Sequence, residues 1–221
     1  CAAQPEAAEA GALALKNGGN AVDAAIACAF AQGVIDPLMC GLGGVGSAVV
    51  HDAKSGKTEN INFLGVAPAA ARDDMWVDAI EGETADAFGF MLRDKINAIG
   101  HQAVMVPGNL KGYHTLLSDY GSMDWSDISR SAIALADGGW IVRPHVYSYA
   151  MQDEEAQGRI HNSDILGYTS EGRTLYLGSD GHIKKPGNLV RNPQLGYLLK
   201  TIASEGIDVF YKGDIAGRIA D

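Results

Sequence analysis

Long apolar runs are absent from this sequence of 221 residues, and no stretch reaches the ~18 residues that a membrane-spanning helix requires. Basic residues are scarce, with 17 Lys and Arg against 27 Asp and Glu, which gives a formal net charge of −10 at pH 7. So acidic a chain, without a basic stripe, is not expected to bind nucleic acid or an anionic membrane by charge. The charge balance suits either the cytoplasm or the periplasm, so localisation stays open.

Cysteine is scarce as well, and the three residues, Cys1, Cys28 and Cys40, form no C-x-x-C pair. This excludes a disulfide framework and argues against a metal cluster. The six histidines stand singly, without H-x-x-x-H spacing, and are interpreted as structural or surface residues. No cofactor or metal is therefore implied. Cys28 and Cys40 are predicted to be small buried hydrophobic side chains.

The two ends of the sequence carry expectations of their own. No secretory signal is visible, but the chain opens with Cys1 rather than Met, which is compatible with an export signal removed before this start. A helical pattern from about Asp214 runs uncapped to Asp221 and predicts that the sequence continues.

Capping signals place the helices. A first helix over residues 5–16 begins with a proline and ends at an Asn-Gly-Gly turn. Asn20 and Asp23 then form a capping box for an alanine-rich helix that Asp36-Pro37 ends. This second helix has no polar stripe, which predicts burial. Periodicity predicts further helices over residues 109–120, 126–137 and 193–205.

A glycine-rich segment, CGLGGVG, occupies residues 40–46, and its Gly41, Gly43 and Gly46 fit the G-x-G-x-x-G pattern of dinucleotide-binding loops. Such a loop needs a strand before it and a helix after it, because the helix N-terminus holds the pyrophosphate. Here a predicted helix precedes, and a hairpin with strands 47–51 and 58–64 follows. We therefore expect the glycines to allow a sharp turn and a close approach by another backbone or a substrate.

The remaining stretches are less informative. Residues 67–104 show little periodicity, and residues 151–192 are polar and loop-rich, with a hairpin near Gly178 to Gly181. No repeat or disordered linker interrupts the chain, so a single domain over residues 1–221 is expected.

Five segments in a fixed order resemble the large subunit of the γ-glutamyltransferase (γ-glutamyltranspeptidase) family. They are NGGNAVDAAIA at 17–27, the glycine loop at 41–46, APAAA at 67–71, VPG at 106–108 and FYKGDIAGRIA at 210–220. Each segment alone is a weak signal, but together they span nearly the whole chain. The sequence is therefore identified as resembling the N-terminal part of that large subunit.

The resemblance implies an α+β fold, the αββα four-layer sandwich of N-terminal nucleophile hydrolases, completed by a second chain. In that family one precursor cleaves itself, and the new N-terminal Thr of the small subunit attacks an amide with its own α-amino group as base. The resemblance thus implies no catalytic residue in this chain. It implies two partners, the small subunit and a small-molecule amide, and leaves a dimer of heterodimers open.

Cys1 is an alternative nucleophile, because an N-terminal Cys can serve this fold. The segment AAQPEAAEAG that follows it, however, resembles the family's interior sequence after a first strand rather than a cleavage junction. The favoured interpretation is a cysteine of that strand.

One departure from the family pattern bears on the substrate. Where the family has a pattern like Asp-Phe-Arg-Glu-x-Ala-Pro, residues 62–68 read Asn-Phe-Leu-Gly-Val-Ala-Pro, so Leu64 replaces the Arg that holds the substrate's α-carboxylate. An unpaired carboxylate in a closed pocket costs on the order of several kcal/mol. The predicted substrate-binding residues are Phe63, Leu64 and Gly65, and the acyl group is predicted to lack that carboxylate.

Two alternatives stay open. In the first, the protein is a genuine γ-glutamyltranspeptidase acting on glutathione-like substrates, and another basic residue does the work of the missing Arg. That residue is Arg72 or one on the small subunit. In the second, the chain is a catalytically inactive relative that keeps a binding role.

Overall fold

The computed structural model describes residues 1–152, 155 and 158–220; residues 153, 154, 156, 157 and 221 lie outside the described part. Part of the predicted loop-rich stretch and the end of the last predicted helix fall on these residues. The helices are Pro5–Lys16 (α1), Ala21–Ile35 (α2), Asn109–Tyr120 (α3), Trp125–Gly138 (α4), Pro144–Ala150 (α5), Asn162–Leu166 (α6), Ser170–Tyr176 (α7), Pro193–Glu205 (α8), Asp208–Tyr211 (α9) and Asp214–Ala220 (α10). The strands are Gly46–Asp52 (β1), Lys57–Phe63 (β2), Ile80–Glu83 (β3), Phe90–Leu92 (β4), Trp140–Ile141 (β5) and Leu189–Val190 (β6), with 3-10 turns at Val77–Ala79, Arg93–Lys95 and His101–Ala103.

The predicted capping box at the start of α2 is confirmed. The Asn20 side-chain oxygen accepts the backbone N–H groups of Val22 and Asp23 at 2.8 and 3.1 Å. The Asp23 carboxylate accepts the Asn20 N–H at 2.8 Å in return. The two side chains thus satisfy backbone donors that an uncapped helix leaves without partners.

The described residues fall into two compact units, and the first comprises residues 1–65, 107–140 and 191–221. Its core is helical, because α2 packs against both α1 and α4, and α4 packs against α8. Phe30 lies in this core, 2% exposed, with its ring centroid 5.4 Å from those of Tyr113 and Trp125. The prediction of a buried α2 is only partly correct, since Ala21 and Ala25 are exposed.

The predicted hairpin forms in the first unit as the antiparallel pair β1–β2, with Gly46 opposite Phe63 at one end. Its second strand ends at Phe63, so Leu64 lies just outside the strand rather than in it. One face, which includes Ala48 and Ile61, is half-buried, whereas Val49 on the other face is 69% exposed.

The second unit comprises residues 66–106 and 141–190. It holds the antiparallel pair β3–β4, and the Arg159 guanidinium lies 2.5 Å from the Asp86 carboxylate. The predicted hairpin near Gly178 is confirmed by an antiparallel bridge between Leu177 and Ile183. Helices α5, α6 and α7 were not predicted, because five to seven residues are too few to show a helical period.

The mixture of helices with small two-stranded sheets confirms the predicted α+β class. No helix in the described part of the chain is long and apolar enough to cross a membrane. The single domain over residues 1–221 stays a prediction.

Candidate substrate-binding site

The predicted site begins at Phe63, the last residue of β2. Its ring lies against the backbone of Gly46 on the neighbouring strand, where an added Cβ would lie 2.7 Å from a ring carbon. It also lies 6.0 Å from the Tyr113 ring on α3, in an edge-on arrangement. Since a side chain at Gly112 would overlap the Phe63 ring as well, small residues on two elements make room for it. The hairpin end is therefore fixed by packing.

Leu64 and Gly65 follow directly. The Leu64 N–H donates to the Asn62 side-chain oxygen at 3.0 Å, which turns the chain at the end of the strand. The Leu64 side chain is 58% exposed. A large aliphatic side chain held at an exposed strand end, beside a half-buried Gly65, can contact a partner or an apolar ligand but supplies no charge.

The start of α3 covers this strand end. A Cβ added to Gly108 would overlap the Phe63 carbonyl oxygen and lie 2.8 Å from its carbonyl carbon, so only glycine permits this approach. The proline-glycine turn of the VPG segment thus packs directly on the backbone that leads into Leu64. This contact joins the VPG segment to the predicted substrate-binding residues.

The glycine loop is held by the same helix start. The Gly44 carbonyl accepts the N–H groups of Gly108 and Asn109 at 3.1 and 3.0 Å, and the Asn109 side chain donates to the Gly41 carbonyl at 2.8 Å. Helix α2 precedes the loop and β1 follows it, which confirms the order expected from sequence. Because the N–H groups of Gly108 and Asn109 already bind the loop, the structure supports close backbone packing rather than phosphate binding.

A cavity of about 690 Å³ adjoins the loop, with walls from α2, the loop itself, β1 and α3. Phe63 and Tyr113 are among its lining residues. Burial raises the pKa of Tyr113 to about 12, so its hydroxyl is neutral at physiological pH.

Sequence reasoning missed Tyr211, the last residue of α9. Its hydroxyl donates to the Pro107 carbonyl at 3.0 Å and accepts the Lys111 N–H at 3.1 Å. The signal was present in the FYKGDIAGRIA segment, but nothing in the sequence says that this tyrosine reaches the start of α3.

Two of the three thiols are poorly suited to act as nucleophiles. Cys1 is exposed and lies outside any strand, which corrects its interpretation as a strand residue. Cys28 and Cys40 are half-buried rather than buried, and this burial raises the pKa of both thiols, with Asp36 adding to the effect at Cys40. A raised pKa keeps both thiols protonated and poorly nucleophilic at neutral pH.

Two further kinds of ionisable group bear on the site, possible metal ligands and the basic residue Arg72. In the described residues, no three His, Cys, Asp or Glu side chains come together as they would around a metal ion. Arg72, the basic residue that the sequence places after Leu64, pairs with Asp74 at 3.0 Å, and both side chains are largely exposed.

Comparison with known proteins places this arrangement in a family. Residues 7–221 match the family model described as Gamma-glutamyltranspeptidase, and the chain belongs to that family. It is 35% identical over 221 residues to a glutathione hydrolase proenzyme of Bacillus subtilis (strain 168), covering 99% of this chain and 34% of the relative. It is 34% identical over 220 residues to an Acylase ACY 1 proenzyme of Pseudomonas sp. (strain V22), covering 98% and 36%.

The fold agrees with that assignment. The crystal structure of Helicobacter pylori γ-glutamyltranspeptidase superimposes with a TM-score of 0.82 at 27% identity, over 99% of this chain and 57% of that one. The chain spans about a third of the length of these two curated relatives, 34% and 36%.

Proposed function

We propose that this chain is the large-subunit part of an amidohydrolase or acyltransferase whose nucleophile is the N-terminal Thr of a partner chain cut from the same precursor. The proenzyme names of the two curated relatives support cleavage of a precursor. Cys28 and Cys40 are half-buried, and burial raises the pKa of both thiols, which makes them unsuited to the nucleophile's role. The Thr hydroxyl attacks the amide carbonyl, and the α-amino group of the same Thr takes the proton. Backbone N–H groups stabilise the oxyanion, and the acyl group passes to water or an amine.

The β1–β2 hairpin supports the need for a partner. A two-stranded sheet is marginally stable by itself. Helices cover one face only, and Val49 on the other face is 69% exposed. A second sheet packed on this face would bury Val49 and build the αββα sandwich, with helices on the outside.

Leu64 carries the proposal about substrate. Its aliphatic side chain stands at the strand end where the family resemblance places an Arg that binds the α-carboxylate. A carboxylate in a closed site needs a charged, hydrogen-bonded partner, which Leu64 cannot provide. We therefore propose an acyl group without an α-carboxylate. One relative carries the name acylase rather than glutathione hydrolase, so the names of the relatives do not point to a γ-glutamyl substrate alone.

A second candidate is a genuine γ-glutamyltranspeptidase, favoured by the similarity to a glutathione hydrolase. In that case a basic residue of the partner chain would bind the carboxylate in place of the missing Arg. The two candidates share the nucleophile and differ in one charged contact.

A matched pair of substrates distinguishes the two candidate functions. A γ-glutamyl anilide and a 4-aminobutyryl anilide differ only in the α-carboxylate, so the ratio of their kcat/KM values reports on that one group. Mass spectrometry and N-terminal sequencing of every chain in the purified protein accompany the assay. A Thr-starting chain with preference for the 4-aminobutyryl substrate supports the proposal. Preference of tenfold or more for the γ-glutamyl substrate, a difference of about 1.4 kcal/mol, supports the second candidate. Absence of a Thr-starting chain and of hydrolysis refutes both and leaves a binding role.

A further inference from the structure

Tyr211 joins two parts of the chain that flank Gly108. Its hydroxyl donates to the Pro107 carbonyl at 3.0 Å and accepts the Lys111 N–H at 3.1 Å, contacts that reach back about 100 residues. A phenol must keep its proton to donate and accept at once, and burial raises the pKa of Tyr211, which favours the protonated form. Both hydrogen-bonding roles of the hydroxyl are thus in use at one place.

The tyrosine contributes to the capping of α3. The first N–H groups of a helix have no partner within the helix. At α3, the Asn109 N–H binds the Gly44 carbonyl, as the Gly108 N–H does just before it, and the Lys111 N–H binds Tyr211. The glycine loop and Tyr211 therefore hold the helix start from two directions.

This helix start packs closely against the predicted substrate-binding segment, Phe63–Gly65. Gly108 lies so close to the Phe63 carbonyl that no side chain fits between them. Packed backbone of this kind transmits displacement, because interiors close to crystal density leave no slack. Movement of residues 107–109 would shift the Phe63 carbonyl and, with it, Leu64.

We propose that Tyr211 is a positioning residue that sets the place of the segment Phe63–Gly65 through Pro107 and Gly108. This inference rests on the proposed function insofar as that segment binds the acyl group. Tyr211 does not touch substrate in this scheme; it fixes the backbone on which Leu64 stands.

The kinetic test compares two tyrosine-to-phenylalanine changes in the purified protein with its partner chain. Tyr211→Phe removes the hydroxyl at the start of α3. Tyr120→Phe is the matched control, because it removes a hydroxyl that binds Glu59 at 2.6 Å, near the other end of α3. We expect Tyr211→Phe to raise KM for the preferred amide roughly three- to tenfold, the size of a lost neutral hydrogen bond, with a smaller change in kcat. Tyr120→Phe should leave KM within about twofold of the unchanged protein.

A double-mutant cycle with Leu64→Ala tests the route of the effect. If Tyr211 acts through Leu64, the two changes in kcat/KM are not additive, whereas Tyr120→Phe and Leu64→Ala are additive. Additivity of Tyr211→Phe with Leu64→Ala, or equal KM effects of the two Phe variants, overturns the inference.

Hydrogen exchange separates this inference from the proposed function, because it needs no activity. In Tyr211→Phe, peptides covering residues 107–112 and 62–65 should exchange faster, while those covering 50–58 at the far end of the hairpin should not change. If the unchanged protein hydrolyses no amide, the proposed function fails, and faster exchange at 62–65 still supports the positioning role. Unchanged exchange at 62–65 refutes that role whatever the activity.

Discussion

The Phe63 carbonyl lies against the Cα of Gly108, so that a Cβ at position 108 would overlap the oxygen and lie 2.8 Å from the carbonyl carbon. This contact brings the end of β2 and the start of α3 together in the first unit. It explains why the proline of the VPG segment is followed by glycine. Because Gly108 packs on the backbone just before Leu64, a larger residue at position 108 would displace Leu64.

Replacing Gly108 should therefore be costly. Gly108→Ala places a methyl group against backbone that cannot rotate away, and we expect a loss of about 3 kcal/mol in the free energy of unfolding. Gly138→Ala is the matched control, because a Cβ there meets nothing within 4 Å. Urea denaturation of both variants measures the difference. A Gly108→Ala protein as stable as the control would show that the helix start can move away from Phe63.

Leu64→Arg should restore recognition of an α-carboxylate if Leu64 stands at the acyl-binding position. A guanidinium can bind a carboxylate through two parallel hydrogen bonds. We expect the ratio of kcat/KM for γ-glutamyl over 4-aminobutyryl anilide to rise roughly tenfold or more, the effect of one charge-assisted contact. Leu64→Gln is the control, because glutamine is unbranched and can form hydrogen bonds but carries no charge. A ratio that moves equally in both variants would place the carboxylate elsewhere.

The sequence predicted the fold best where the contacting residues are close together in the chain. The capping box of Asn20 and Asp23 was predicted in full, because its partners are three residues apart. The hairpin was predicted with an error of one residue at each strand end, including Leu64, which lies just outside the second strand. Helices α5 to α7 were missed, since they are too short to show a period.

The site was predicted only in part, for the same physical reason. Phe63, Leu64 and Gly65 came from the resemblance of a local pattern, and their binding role stays a prediction. Tyr211 makes its hydrogen bonds across 100 and 104 residues, so no local pattern encodes them. The close approach of Gly108 to Phe63 is equally remote in sequence, and only the folded chain brings the two together.

The aromatic cluster around Phe30 should dominate the stability of the first unit. Phe30 is 2% exposed, and its ring meets those of Tyr113 and Trp125 edge-on. Phe30→Ala should cost about 3–5 kcal/mol through lost burial and the cavity that remains. Phe88, 87% exposed in the second unit, provides the same substitution at the surface and should change stability by less than about 0.5 kcal/mol. Thermal denaturation compares the two alanine variants. A loss within this range for Phe30→Ala means that the cluster stays rigid around the cavity, whereas a much smaller loss means that it collapses to fill the space.

The last prediction concerns Asp23, which is fully buried. Burial alone would raise the pKa of its carboxyl, but hydrogen bonds from the Ser122 hydroxyl and the N–H groups of Asn20, Ser122 and Met123 hold that pKa below its ordinary value. A carboxyl whose pKa is lower in the folded chain stabilises the fold above its unfolded pKa of about 3.9. That stabilisation is lost as the pH falls through the folded value.

Asp23→Asn keeps the shape of the side chain and removes its charge, so we expect a loss of about 1–3 kcal/mol at pH 7. The difference from the unchanged protein should begin to shrink below about pH 4, where Asp23 of the unfolded chain takes up its proton, and it should shrink further as the pH falls through the lower pKa of the folded chain. Urea denaturation at pH 7 and pH 3 measures both, with the exposed Asp78→Asn as control. A difference that stays constant between the two pH values would mean that hydrogen-bond geometry, rather than the carboxylate charge, joins the start of α2 to Ser122.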